Sequence, residues 1–168
     1  MITSISRVRM LRLASLFGGL LLLAACASDK ATDSMSNTGG SLGGAAAPGS
    51  AQDFVVSVGD RVFFETDSTD LTSLAIETLD KQAQWLAQYA SHAVLIEGHA
   101  DERGTREYNF ALGARRAQAV RDYLAGKGVA GSRLKTVSFG KERPVAVCDD
   151  ISCWSQNRRA VTTLSGGN

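Results

Sequence analysis

Gly98-His99-Ala100-Asp101-Glu102-Arg103-Gly104-Thr105 lies where one hydrophobic rhythm stops and another starts. Immediately before it, Ala93-Val94-Leu95-Ile96-Glu97 is too short and too β-branched for a helix, which predicts a strand ended by Gly98. Immediately after it, Thr105 can cap a helix running to about Ala125. Gly113, Ala117, Val120 and Leu124 form its apolar stripe, Arg115, Gln118 and Asp122 its wet face, and Gly126 and Gly128 its end. Strand, polar loop and long helix in that order put the loop where ligand crevices form, at a strand's carboxyl end and a helix's start.

The flanking segments complete the fold. Arg61-Val62-Phe63-Phe64 reads as a strand between Gly59-Asp60 and the polar run Glu65 to Asp70. Ala75, Leu79, Ala83, Leu86 and Ala90 then recur at helical spacing, with Thr72 or Ser73 as N-cap. Downstream, Leu134 to Phe139 alternates as a strand, Gly140 to Pro144 turns the chain, and Arg159 to Leu164 supplies a last strand. The order β-α-β-α-β-β, with no long helix in the final connection, predicts an α+β domain: a mixed four-stranded sheet with helices on one face.

The chain has 168 residues, 44% hydrophobic and 21% charged, which fits one globular domain with appendages. Arg7, Arg9 and Arg12 precede an uncharged apolar run from Leu13 to Ala25, shorter than the roughly 20 residues that cross a bilayer, so residues 1–25 read as a cleaved signal peptide. Leu23-Ala24-Ala25-Cys26 resembles the bacterial lipobox, which makes Cys26 the acylated mature N-terminus. A cysteine carrying several acyl chains anchors durably, at about 0.8 kcal/mol per buried methylene. Ala27 and Ser28, in place of a retention aspartate directly after the cysteine, point to the outer membrane, with the folded part in the periplasm. Residues 26–53 are Gly-, Ala- and Ser-rich and read as a tether averaging roughly 30 Å end to end, leaving 54–168 for the folded domain. Losing the three signal-peptide arginines takes the formal net charge from +1 to −2, which argues against nucleic acid as a partner.

One helical position breaks the pattern. Asn109, Leu112, Gly113 and Arg116 fall at i, i+3, i+4 and i+7, so Arg116 emerges among core-facing residues. An unpaired half-buried guanidinium costs several kcal/mol, which implies an internal carboxylate or an anionic ligand. Asp101, in the preceding loop, is the candidate companion. Together the two charges suit an amino-acid zwitterion, the carboxylate taking the ammonium and the guanidinium fork the carboxylate. On pattern alone, an internal Asp101–Arg116 salt bridge with no ligand fits equally well.

Gly98 to Thr105, Tyr108-Asn109, Leu112-Gly113, Arg115-Arg116-Ala117, Ser138-Phe139-Gly140-Lys141-Glu142 and Asn157-Arg158-Arg159-Ala160 together closely resemble the peptidoglycan-associated lipoprotein (Pal) family of OmpA-like domains. The likeness spans essentially the whole folded region. It implies binding of the diaminopimelate in peptidoglycan stem peptides, with Asp101 and Arg116 as the central pair and Phe64, Ala100, Arg103, Asn109 and Leu112 lining or supporting the pocket. It also implies membership of the Tol-Pal system, contact with the periplasmic propeller protein TolB, and a role in outer-membrane constriction at division, with no catalysis and no cofactor. Glu65 stands where many relatives carry Asp, so no role carries over to it.

Cys148 and Cys153 belong to an exported chain and flank a short loop, which predicts a disulfide. Zinc lacks both a C-x-x-C spacing and a ligand pattern at His92 or His99. His99, Asp101 and Glu102 could suggest a hydrolase site, but no nucleophile motif accompanies them, and His99 reads as a strand-end residue. Trp85 and Trp154 read as core or interface aromatics.

Overall fold

A computed structural model of the protein describes residues 46–165. The signal peptide, Cys26 with its lipobox and most of the tether lie outside the described residues. A short helix α1 (Ala51–Asp53) passes into a π-helical turn, Phe54–Val58. The alternation β1 (Arg61–Phe63), α2 (Ser73–Gln88), β2 (Ala93–His99), α3 (Arg106–Gly126), β3 (Leu134–Gly140), α4 (Ile151–Asn157), β4 (Arg159–Ser165) follows.

The four strands form one mixed sheet in the order β1-β4-β2-β3. β2 and β3 run parallel, joined by α3, whereas β4 is antiparallel to both β1 and β2. Leu79, Leu86, Val94, Ile96, Val120 and Leu124 meet in the core between the sheet and helices α2 and α3. Thr72 caps α2 through its side chain, and Thr105 caps α3 by accepting from the Tyr108 N–H.

Four details depart from the sequence reading. β2 continues through Gly98 to His99 because the missing side chain there admits α3: a Cβ on Gly98 would lie 1.8 Å from the Gly113 carbonyl oxygen. α2 stops at Gln88, so Ala90 falls outside it and is exposed. α4 has seven residues and too little apolar period to be read from sequence; Asp150 caps it and the Cys148–Cys153 disulfide ties its middle to the preceding loop. The tether expected to reach Asp53 gives way to packed chain at Gly49. The Gly49 carbonyl lies 3.0 Å from His92 Nε2, and Asp53 Oδ2 accepts from the Gly49 N–H and from Trp85 Nε1, both at 2.9 Å. These are polar bonds to α2 and its end, and composition gives no sign of them.

Candidate functional site

The carboxyl ends of β1 and β2 and the start of α3 enclose a cleft of about 240 Å³ lined by Thr66, Asp67, Asp101, Arg103, Gly104, Tyr108, Asn109, Leu112 and Arg116. Asp101, Arg103, Asn109, Leu112 and Arg116 are among the residues that the sequence resemblance assigns to the pocket. Phe64 and Ala100 stand behind the wall. The Phe64 ring lies under Arg116, 5.1 Å from ring centroid to Cζ, and the Ala100 N–H ties the loop to the end of β3 through the Gly140 carbonyl at 2.8 Å.

Arg116 is fully buried, yet Asp101 is not its partner. Its Nε donates to the Ser68 carbonyl (2.9 Å), Nη1 to the His99 carbonyl (2.8 Å) and Nη2 to the Glu65 carbonyl (3.1 Å). The simple internal salt bridge is therefore not what the structure builds. The guanidinium instead staples the β1–α2 loop to the end of β2, and three of its five N–H donors are used in doing so. Burial lowers its pKa to about 10, aided by the nearby charge of Arg158, while Asp101, Asp67 and Tyr108 oppose the shift. It remains a cation at neutral pH.

Asp101 is also buried, and its charge is met by two other arginines. Arg103 Nη2 reaches Oδ2 at 2.6 Å, its Nε and backbone N–H reach Oδ1 at 3.2 Å, and Arg158 Nη1 approaches Oδ2 at 3.5 Å. Burial alone would raise the Asp101 pKa, but these hydrogen bonds outweigh it and hold the carboxyl below its ordinary value. Asn109 fixes the loop by donating to the Arg103 carbonyl at 2.7 Å, and Lys141 Nζ donates to the Glu102 and Gly104 carbonyls at 3.0 and 2.6 Å.

Sequence reasoning missed Thr66, Asp67, Tyr108 and Arg158. Asp67 is the one described non-glycine residue with positive φ (57°), a conformation found mostly at special sites. Its side chain accepts a hydrogen bond from the Tyr108 hydroxyl across the cleft. Tyr108 had appeared in the matched motif without a role; Asp67 was one acid in a polar run, and no local signal marked it. Arg158 sits in the matched Asn157-Arg158-Arg159-Ala160, but only the return of β4 beside β1 sends it to Asp101, with its Nε on the Phe64 carbonyl at 3.0 Å.

His99 does not join this group. Its ring lies on the sheet's other side, 5.6 Å from Phe139 between centroids, with neither ring nitrogen hydrogen-bonded. Burial, reinforced by Arg159 and Arg143, lowers its pKa to about 4, so it is neutral at pH 7. Two carboxylates, Asp67 and Asp101, and two guanidiniums, Arg103 and Arg116, line the cleft, with Arg158 beside Asp101, so the site offers partners for both charges of a zwitterion.

The OmpA family profile matches residues 63–158. The peptidoglycan-associated lipoprotein of Mesorhizobium japonicum is 67% identical over 147 residues, covering 88% of each chain. The chain belongs to the peptidoglycan-associated lipoproteins of the OmpA family. The relative from Haemophilus influenzae is 41% identical over 144 residues, covering 86% of this chain and 91% of that one. Among solved structures, the crystal structure of the peptidoglycan-associated lipoprotein from Burkholderia pseudomallei superposes with a TM-score of 0.62 at 42% identity, covering 63% of this chain and 90% of that one. The C-terminal domain of Helicobacter pylori MotB (TM-score 0.59, 22% identity, 63% of this chain and 84% of that one) shares the fold.

Proposed function

We propose that this domain holds peptidoglycan non-covalently by gripping the zwitterionic end of diaminopimelate in the stem peptide. The observation that carries the reading is that Asp101 and Arg116, both buried, face one cleft without neutralising each other directly. The ligand's ammonium joins Arg103 on the Asp101 carboxylate, with Asp67 as a second acceptor. Its carboxylate enters the positive field of Arg116, whose terminal nitrogens each keep an N–H beyond the bonds to His99 and Glu65. The names carried by the relatives support the same ligand class. No bond is made or broken, so the protein is a binder rather than an enzyme.

In this reading Cys26 anchors the chain in the outer membrane and the stretch between it and Gly49 spans the gap. The durable lipid attachment then holds the domain at high local concentration near the wall, so that a weak grip there suffices. The same reading places the protein in the Tol-Pal system, meeting TolB in the periplasm and drawing the outer membrane inward at division. Co-purification with TolB tests that part; a protein that binds the wall but never captures TolB works outside the system.

The wall-binding test is a pull-down on purified sacculi of the soluble domain beside Asp101→Ala and Arg116→Ala, each checked for folding by circular dichroism. Both folded variants are expected to stay in the supernatant while the parent sediments. Equal sedimentation of all three would refute the site.

A further inference from the structure

Arg103 covers the Asp101 carboxylate with one edge and rests its face on Trp154, whose ring centroid is 4.2 Å from Cζ. Trp154 is in turn aimed by its Nε1, which donates to Glu102 Oε1 at 2.9 Å. Arg103 is otherwise an open side chain, 41% exposed, with many rotamers available. Trp154 stands on α4, and a seven-residue helix does not hold itself in water. A closed bracket holds it. Cys148 and Cys153 are bonded, the Asp150 side chain accepts from the Ser152 N–H at 2.7 Å, and Asn157 accepts from the Val145 and Ala146 N–H groups while donating to the Ala146 carbonyl at 2.7 Å.

We infer that the disulfide-closed bracket is a positioning element of the binding cleft: it fixes α4, α4 fixes Trp154, and Trp154 keeps Arg103 in the one orientation that leaves the cleft open beside Asp101. Trp154 acts through Arg103 and Glu102 and is a positioning residue, not a ligand contact. Without its platform the guanidinium regains its rotamers, and ordering it again on binding costs affinity. This rests on the proposed recognition of diaminopimelate stems.

The test measures affinity of the full chain in detergent for soluble muropeptides with diaminopimelate stems, in oxidised, reduced and reoxidised protein. A phosphine reduces the disulfide by two electrons and leaves as its oxide, with water supplying the oxygen and the two thiol protons. Reduction is expected to weaken binding roughly two- to fivefold, the scale of one cation–π contact, and reoxidation to restore it. Trp154→Leu should cause a similar loss and make binding indifferent to reduction, whereas Trp154→Phe, which keeps a face under the guanidinium, should recover most of it. Circular dichroism on each sample separates these effects from unfolding. Unchanged affinity on reduction, while Asp101→Ala abolishes binding, overturns the bracket's role and leaves the ligand assignment standing. If Asp101→Ala binds like the parent, the ligand assignment itself is overturned.

Discussion

Arg116 among carbonyls and His99 among cations are two opposite outcomes of burying a basic side chain. Three backbone oxygens replace the water that Arg116 gives up, so the ion persists and locks the two cleft loops together. Lysine cannot reproduce that planar fork. Arg116→Lys is expected to lower unfolding free energy by about 2–4 kcal/mol in urea, from carbonyls left without donors. His99 makes no hydrogen bond, the Glu97 carboxylate standing 3.7 Å from its Nε2, and burial keeps the ring neutral, its pKa about 4 against an ordinary 6.5. The unfolded chain therefore takes up the proton first. The stability that His99 contributes by staying neutral is full above about pH 6.5 and is lost as pH drops toward 4. The parent should lose on the order of 2 kcal/mol more across that range than His99→Leu, which lacks the titrating ring. Urea melts at matched pH values check it, and identical slopes would count against the buried neutral histidine.

At the scale of elements, the cleft depends on how closely α3 lies on the sheet. Gly98 of β2 and Gly113 of α3 meet backbone to backbone: a Cβ on Gly113 would come within 2.5 Å of Ser138 Oγ and 2.8 Å of the Gly98 carbonyl oxygen. This approach sets the depth at which Asn109, Leu112 and Arg116, on the same helical face, reach the cleft. Gly113→Ala gains about 1 kcal/mol of helix propensity but overpacks the contact by more, so a net loss of about 1–2 kcal/mol is expected, with weaker wall binding. Gly126→Ala, at a site with nothing within 4 Å, is the control and should be neutral or slightly stabilising. Thermal melts of the pair separate steric crowding from propensity. Much of this was written in the helical spacing: residues 109 to 124 bury the face that their period assigns. The Gly98–Gly113 crossing was not, because a glycine in a strand pattern and a glycine in a helix pattern carry no mark that they touch.

For the molecule as a whole, the two ends of β2 have different tasks. The chain enters at Gly49, against Tyr89 and His92 just before the strand begins, and the cleft opens past His99, where it finishes, about 20 Å away. Gly49 therefore lies toward the end of β2 opposite the cleft. Immobilising the domain through an added N-terminal cysteine should preserve capture of muropeptides, and immobilising it through a cysteine in place of the exposed Glu107 should block it. Surface plasmon resonance on the two orientations measures the difference. Equal capture would mean that the ligand enters elsewhere.

Local composition and period were enough for the order of the four strands and the two long helices, for Thr105 as the cap of α3 and a choice of Thr72 or Ser73 for α2, and for a buried cation at Arg116 beside a loop carboxylate at Asp101, since propensity, capping and amphipathic spacing act over a few neighbouring residues; the seven-residue α4 carried no such signal. What Arg116 and Asp101 bond to was decided elsewhere. The carbonyls of Glu65 and Ser68, the left-handed Asp67 and the guanidinium of Arg158 come from segments some 35 to 60 residues distant, brought together only when β4 inserts between β1 and β2 and α3 seats on Gly98. A guanidinium in a sequence announces that it needs oxygens; the closed sheet chose which oxygens it received.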